Sequence, residues 1–178
     1  MVNNKDIYKN IISILNSLNI TYKEIEHPEV KTCEDSAKYR AQKGLNGIGS
    51  KNILFHAKGK FYLVVTIATT EIKARRFKKQ FGTKNIRFAN ETELQEVTAC
   101  KSGSLPPFGY LTTQLPIYVD KEIFEHKNFM FNPAIPTKTI SINTKDLLKV
   151  YKNIEQPVIL FSKTKENQFQ FENIKDTN

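Results

Sequence analysis

Cysteine is scarce in this sequence, and its scarcity excludes a scaffold held together by disulfides. The 178 residues contain two cysteines, Cys33 and Cys100, whereas small secreted domains that depend on disulfides contain many more. Neither cysteine belongs to a Cys-x-x-Cys pair or lies at a metal-ligand spacing from a histidine. We therefore expect a reducing environment and no bound metal, and no motif in the sequence indicates a cofactor.

Long apolar runs are also missing. No segment approaches the roughly 20 apolar residues that a helix needs to span a bilayer. The N-terminal residues MVNNKDIYKN are polar and lack the apolar stretch of a secretory signal. The sequence therefore predicts a cytoplasmic protein with no membrane partner.

The remaining composition is that of a globular protein. Hydrophobic residues make up 39% of the chain and charged residues 25%, which excludes a disordered protein. A chain near 150 residues buries roughly 70% of its unfolded surface, so one core is expected. We predict one domain over residues 1–162 and a polar tail or linker over 163–178, KTKENQFQFENIKDTN.

Positive charge dominates, with 27 Lys and Arg against 18 Asp and Glu and a net charge of +9. An excess of this kind favours a polyanionic partner such as RNA. However, 23 of the 27 cations are lysines, and a coding sequence rich in A and T produces the same bias. Both interpretations stay open on charge alone.

Strand and helix patterns alternate along the chain. Residues 52–57 and 60–67 are rich in strand-forming residues and flank Lys58-Gly59, which predicts a hairpin. Helical spacing begins at Ile7, with Asn4 available as a cap. Further helices are predicted at 32–43, 71–81 and 144–151, and a short one is predicted to be capped by residues 90–93. Further strands are predicted at 20–26, 86–88, 115–119, 129–131, 139–142 and 158–161. This mixture predicts an α/β or α+β fold with a mixed sheet.

The most distinctive segment is the loop from Cys100 to Gly109, CKSGSLPPFG. Prolines at 106 and 107 fix the backbone, and Gly103 and Gly109 permit positive φ angles and close approach. Such a loop can hold backbone N–H groups outward for an anion or oxyanion. The alternative is an ordinary structural turn.

Lys51 is the candidate cation of a site, because it stands at the start of the first hairpin strand. A lysine there can bind a phosphate or polarise a carbonyl, although one solvated lysine among 23 is the alternative. The three histidines, at positions 27, 56 and 126, are scattered. A dyad of one of them with Cys33 or Cys100 therefore also stays open.

A basic cluster lies in the predicted helix over 71–81. It consists of Lys73, Arg75, Arg76, Lys78 and Lys79. Arginine is rare elsewhere in the chain, so its presence here favours a surface that binds RNA phosphates. A solvated helix face is the alternative interpretation.

Taken in order, these motifs resemble the YbaK-like family, the editing domains associated with prolyl-tRNA synthetase. The resemblance covers roughly residues 20–150. It rests on His27-Pro28, Thr32-Cys33-Glu34-Asp35, Lys51-Asn52-Ile53-Leu54, the strand 61–65, the segment 87–94, the loop 103–109 and Pro116-Ile-Tyr-Val-Asp120. No single motif is specific, but their order and spacing are.

The resemblance implies hydrolysis of misacylated tRNA on a mixed, partly curled sheet with flanking helices. The substrate would be tRNA(Pro) carrying alanine or cysteine, and prolyl-tRNA synthetase would be a partner. Residues with an implied catalytic role are Lys51, Gly103, Ser104, Leu105, Pro106 and Pro107. Residues with an implied role in substrate binding are Thr32, Phe108, Gly109, Asn132, Pro133 and Thr139.

The amino acid that is removed depends on the segment 132–139, which we expect to form a small pocket with the loop. Family members that remove alanine carry His-Pro at this point, and this chain keeps Pro133 and Thr139 but has Asn132 in place of the histidine. Alanine is the first expectation, and cysteine, serine and threonine stay open. The aminoacyl ester is already activated, so an oxyanion site and a placed water suffice. A non-catalytic tRNA-binding module and a hydrolase that uses Cys100 are the alternatives.

Overall fold

A computed structural model describes residues 2–30 and 33–177. Over these residues the chain forms one nine-stranded sheet with helices on it. The helices are α1 (Asn4–Ser17), α2 (Cys33–Gln42), α3 (Lys78–Phe81), α4 (Glu91–Thr98) and α5 (Thr144–Asn153). The strands are β1 (Lys23–Glu26), β2 (Ile48–Ala57), β3 (Lys60–Ile67), β4 (Ile86–Phe88), β5 (Ile117–Asp120), β6 (Asn128–Phe131), β7 (Lys138–Asn143), β8 (Val158–Lys163) and β9 (Phe169–Asn173).

The sheet is mixed, which confirms the predicted α/β class. Its strand order is β1-β7-β6-β2-β3-β5-β8-β9, with β4 added beside β2. Strand β2 runs parallel to β6, and β3, β5 and β8 are parallel to one another, while the other pairs are antiparallel. No helix within the described ranges is long and apolar enough to cross a membrane.

The β2–β3 hairpin forms as predicted and sets the direction of every side chain near the site. Lys58 and Gly59 have φ angles of 52° and 71°, as a type I′ turn requires. Alternation along β2 directs Ser50, Asn52 and Leu54 to one face and the residues between them to the other. Leu54 accordingly packs in one core and the neighbouring Phe55 in another.

Two hydrophobic cores cover the two faces of the sheet. The first lies under α1 and α5, where Ile11 and Tyr151 are buried together with residues of the sheet. Helix α1 is capped by Asn3, not by Asn4 as predicted, because the Asn3 side chain accepts hydrogen bonds from the first turn. The second core is aromatic, and its buried rings include Phe55, Phe77, Phe81, Tyr118 and Phe161.

The segment 163–178 differs from the expected polar tail. Its residues Phe169–Asn173 form β9, which pairs antiparallel with β8. Phe169 and Phe171 contact the ring of Phe77 in the aromatic core, and Ile174 is buried. Apolar residues at alternate positions of a short polar segment were enough to form an edge strand, because β8 offered a partner.

The predicted helix over 71–81 is also shorter in the structure. A 3₁₀ turn occupies Ala74–Phe77, and α3 adds one further turn. The helix ends at Gly82, whose φ of 64° is the left-handed conformation that glycine commonly adopts at the end of a helix.

Candidate active site

A cavity of about 720 Å³ lies where α2 faces the sheet. Its walls come from α2, the start of β2, the end of β3, the loop after α4 and the connection between β6 and β7. Lining residues with polar side chains include His27, Glu29, Glu34, Ser36, Arg40, Ser50, Thr69, Lys101, Ser102, Ser104, Asn132 and Thr139. Four residues of the predicted site therefore share one cavity, namely Gly103, Ser104, Asn132 and Thr139.

The loop after α4 begins with a tight turn at the cavity wall. The backbone N–H of Ser104 donates to the carbonyl of Lys101 at 3.1 Å, and the Ser104 hydroxyl donates to the same oxygen at 2.9 Å. Gly103 is the third residue of this turn and has a φ of 83°, the value that a type II turn places on glycine. The turn is therefore fixed by both backbone and side chain.

The following residues of the loop are held through their carbonyl groups. Asn52 donates from Nδ2 to the carbonyl of Leu105 at 2.7 Å. The Tyr110 hydroxyl donates to Pro106 at 2.6 Å, and the Tyr151 hydroxyl donates to Pro107 at 3.2 Å. Three successive carbonyls are thus engaged, and the loop is held rigidly over the first core.

Few backbone N–H groups in the turn are left to bind a ligand. Pro106 and Pro107 have no N–H, and that of Ser104 is already used within the turn. Among the described residues no acceptor is found for the N–H groups of Gly103 and Leu105. Gly103 lines the cavity, and Leu105 is buried, where a donor needs a partner, so these two groups are the candidate oxyanion donors.

The opposite wall carries His27, Thr139 and Asn132. The His27 ring is hydrogen-bonded to Thr139 Oγ1 at 2.9 Å and to the Pro28 carbonyl at 2.8 Å. Asn132 donates from Nδ2 to the carbonyl of Ile135 at 2.9 Å. The Oδ1 of Asn132 is buried and accepts no hydrogen bond within the part of the chain that the structure describes.

Lys51 is not among the residues that line the cavity. Strand alternation places its side chain on the face opposite Ser50, and its ammonium donates to the carbonyl of Thr70 at 2.8 Å. Thr69, the residue before Thr70, does line the cavity. Lys51 therefore lies beside the cavity rim, and a direct catalytic role for it stays a prediction.

Several predicted residues support the loop from behind. Phe108 is fully buried against Phe131 and Tyr151. A side chain at Gly109 would lie 2.3 Å from Cγ1 of Ile11, so this glycine allows α1 to approach. Leu105, Pro106, Pro107 and Pro133 are buried and also lie outside the cavity lining, whereas Thr32 lies outside the described residues.

Sequence reasoning missed the contribution of α2. Glu34, Ala37 and Ala41 line the cavity at helical spacing, and Arg40 joins them. The spacing of 34, 37 and 41 was visible in the sequence, but nothing showed which element the helix would face. Ser50 and Thr69 were missed as well, although their places at the open end of the hairpin were a usable signal.

Cys100 does not have the properties of a nucleophile. It is buried, and its thiol contacts the Thr98 carbonyl at 3.2 Å. Burial raises its pKa to about 11, so the reactive thiolate is essentially absent near neutral pH. The thiol also lies outside the cavity lining, which disfavours the Cys100 hydrolase considered above. Within residues 2–30 and 33–177 no three His, Cys, Asp or Glu side chains are grouped as metal ligands.

The basic cluster over 73–79 divides into two sets. Lys73 pairs with Glu71 at 3.2 Å. Arg76 donates to Asn167 at 2.6 Å and lies 5.1 Å from the centre of the Phe169 ring. The other three cations, Arg75, Lys78 and Lys79, are exposed. Only these three have charges that are fully available to an RNA surface.

Comparison with known proteins identifies the family. Residues 27–150 match the family model described as "Aminoacyl-tRNA editing domain". The chain belongs to this family. The membership confirms the resemblance seen in the motifs and makes the protein an editing hydrolase, an aminoacyl-tRNA deacylase.

Relatives of this editing domain occur as separate proteins and within synthetases. The chain is 28% identical over 162 residues to the zebrafish "Prolyl-tRNA synthetase associated domain-containing protein 1", covering 87% of each. It is 23% identical over 148 residues to the Escherichia coli "Multifunctional Ser/Thr-tRNA deacylase ProXp-y", covering 80% of this chain and 87% of that one. A proline–tRNA ligase of Staphylococcus saprophyticus is 30% identical over 107 residues, which are 60% of this chain and 18% of the ligase.

A solved structure shares the fold of this editing domain. It is the crystal structure of a candidate trans-editing enzyme for prolyl-tRNA synthetase, with a TM-score of 0.68 and 21% sequence identity. The superposition covers 85% of this chain and 94% of the other. At this identity the likeness supports the architecture alone.

Proposed function

We propose that this editing domain hydrolyses the ester of tRNA(Pro) that carries a wrong small amino acid, with alanine as the first candidate. The observation that carries the proposal is the turn at Gly103, which lines a ligand-sized cavity and whose N–H group, like that of the nearby Leu105, has no acceptor among the described residues. A prolyl synthetase needs such an activity, because one missing methylene changes binding by only about 1–3 kcal/mol. Prolyl-tRNA synthetase is accordingly the expected partner.

The chemical step needs little from side chains. A water attacks the ester carbonyl, the bond from carbon to the ribose oxygen breaks, and a proton passes from the water to that oxygen. The negative charge that develops on the carbonyl oxygen is stabilised by the N–H groups of Gly103 and Leu105. One donor of this kind contributes about 10²–10³ in rate. The free ribose hydroxyl of the substrate helps to place the water.

The size of the cavity fits the end of a tRNA better than an amino acid alone. Ligand pockets of about 300–1,000 Å³ hold molecules of drug size, and this cavity of about 720 Å³ lies within that range. We therefore expect the terminal adenosine to enter together with the aminoacyl group. The small pocket predicted to exclude proline would then be the part of the cavity beside Gly103, Asn132 and Thr139.

Serine and threonine form the second candidate class of substrate. Hydroxyl groups of Ser50, Thr69 and Thr139 lie on the residues that line the cavity, and such groups can bind a substrate hydroxyl. The name of the E. coli relative, a Ser/Thr-tRNA deacylase, supports this class. Cysteine is a third candidate, and it shares the small size of the others.

A deacylation assay tests the proposal. Purified protein is mixed with tRNA(Pro) charged separately with Ala, Cys, Ser, Thr or Pro, and release of the amino acid is followed. We expect rapid release of alanine or a hydroxylated amino acid and no release of proline. Loss of the N–H geometry by Gly103→Ala, at a φ of 83°, should lower every rate together. Hydrolysis of Pro-tRNA(Pro) at a comparable rate would contradict the proposal.

A further inference from the structure

Arg40 occupies an unusual position for a charged residue of this helix. Helix α2 has no buried residue among its described side chains, yet Arg40 is half-buried and lines the cavity. Its guanidinium lies against β2, where a Cβ atom at Gly49 would be 2.5 Å from Nη1 and 3.7 Å from Cζ. The guanidinium therefore fills the space that a side chain on β2 would otherwise occupy.

Gly49 is explained by this contact and not by its backbone. Its φ lies outside the left-handed region that favours glycine, so any residue could adopt the conformation. What glycine supplies here is room for the arginine. The pair Arg40 and Gly49 is thus a built feature of the cavity wall, formed by two elements that are separate in sequence.

The charges around Arg40 favour one defined anion over a polyanion. Lys101, at the start of the turn that contains Gly103, lines the same cavity. Two carboxylates, those of Glu29 and Glu34, also line it, so the wall is mixed in sign. A general phosphate-binding surface would not carry these acids, whereas a planar guanidinium can bind one phosphate through two parallel hydrogen bonds.

We propose that Arg40 binds the phosphodiester that joins the last two nucleotides of the aminoacylated RNA. The inference rests on the proposed function, because it assumes that the 3′ end of a tRNA enters the cavity. Lys101, which lines the same cavity, assists, and Gly49 leaves the room that the guanidinium occupies. This contact anchors the terminal adenosine and leaves the ester to the N–H groups of Gly103 and Leu105.

The test uses two stable ligands that differ only in one phosphate. They are 3′-alanylamino-3′-deoxyadenosine and the same compound carrying a 5′-methylphosphate diester, and their Kd values are measured by calorimetry. Wild-type protein should bind the phosphodiester form about 10- to 100-fold more tightly, the usual worth of a charge-assisted hydrogen bond. Arg40→Gln should bring this ratio close to one, and Arg40→Lys should restore part of it.

Two further variants separate this contact from general charge and from folding. Lys38 is exposed on the same helix and does not line the cavity, so Lys38→Gln removes one charge and should keep the wild-type ratio. Gly49→Ala should displace only the flexible end of Arg40 and reduce the ratio as Arg40→Gln does. Melting temperatures of the variants are measured in parallel to exclude unfolding.

The outcomes are distinct. A wild-type ratio near one, an unchanged ratio in Arg40→Gln, or an equal loss in Lys38→Gln would each overturn the inference, as would failure of the wild type to bind either ligand. The proposed function is judged separately by the deacylation of charged tRNA. A protein that hydrolyses Ala-tRNA(Pro) yet shows no phosphate preference would keep the function and lose the Arg40 contact.

Discussion

The Pro28 carbonyl sets the direction of the hydrogen bond between the neutral ring of His27 and Thr139. Nδ1 of His27 lies 2.8 Å from the Pro28 carbonyl, which can only accept, so Nδ1 carries the proton. In the neutral ring Nε2 is then an acceptor, and the Thr139 hydroxyl donates to it at 2.9 Å. The Thr139 hydroxyl oxygen can then only accept a hydrogen bond from a ligand at the cavity wall.

Replacing Thr139 should therefore separate its two roles. Thr139→Val leaves the buried Nε2 of His27 without a partner and should lower the free energy of unfolding by about 1–3 kcal/mol. Thr139→Ser keeps the hydroxyl and should retain most stability and activity. Thermal unfolding and deacylation rates of both variants check this, and a valine variant as stable as the wild type would contradict it.

Lys51→Ala should abolish most deacylation while the fold stays intact. We expect a loss of about 10²-fold, the scale of one lost electrostatic contact. The structure adds a discriminating variant, because Lys51 also donates to the Thr70 carbonyl at 2.8 Å. Lys51→Gln can still donate to that carbonyl, so it should rescue activity if Lys51 acts only as an anchor. Wild-type turnover in the alanine variant would refute any role.

Cys100→Ala should leave kcat/KM and its pH dependence unchanged, since the thiol is buried with a pKa of about 11. Stability should respond at alkaline pH. The folded protein holds the proton to higher pH than the unfolded chain, so the wild type loses stability as pH rises from the ordinary thiol pKa toward 11. Urea unfolding at pH 8 and pH 10 should show that the alanine variant lacks this part of the loss.

Neutralising Arg75, Lys78 and Lys79 should weaken tRNA binding and flatten its dependence on salt. Each lost phosphate contact reduces the slope of log K against log salt by roughly 0.7–0.9. Arg76→Gln is the matched variant, because its side chain is engaged with Asn167 and Phe169. The Arg76→Gln variant should have a lower melting temperature, while its slope of log K against log salt should stay close to that of the wild type. An unchanged salt slope in the triple variant would show that these three side chains belong to a solvated helix face and do not contact the tRNA.

Asn132→Ala should change the ranking of substrates. Its amide lines the cavity and holds the β6–β7 connection by donating to the Ile135 carbonyl. If the buried Oδ1 contacts the substrate, relative rates on Ala-, Cys- and Ser-charged tRNA should shift by several-fold, about the effect of one neutral hydrogen bond. A uniform fall in all three rates would point to the connection alone.

Local signals in the sequence predicted the parts of the fold that depend on neighbours. The hairpin followed from Lys58-Gly59, because the turn depends only on the positive φ angles of these two adjacent residues. The position of α2 against the sheet could not be predicted from local signals, because it depends on how strands that are far apart in the sequence pair with one another. Gly47, the residue before β2, lies so close to β6 that a Cβ atom on it would be 2.6 Å from the Asn128 carbonyl oxygen.

The backbone loop of the candidate site could be predicted from the sequence, whereas the positions of its cationic side chains could not. The loop at Gly103 was recognisable from proline and glycine spacing alone. Lys51 was chosen for its place in a strand, but its orientation depends on which face of β2 meets the loop. That face is set by Asn52 and its contact with Leu105, 53 residues away in the chain. Arg40 had no local signal, because its contact with Gly49 joins two elements that are separate in sequence.

The contact between Ile11 and Gly109 has a consequence for how such a domain can diverge. Helix α1 precedes residue 27, where the match to the family begins, yet Ile11 fills the space at Gly109 and Asn10 donates to its carbonyl at 2.9 Å. Helix α1 thus supports, from outside the cavity, the loop that carries the candidate oxyanion donors. We therefore expect substitutions at Ile11 to shift that loop and alter the editing rate without changing a residue that lines the cavity.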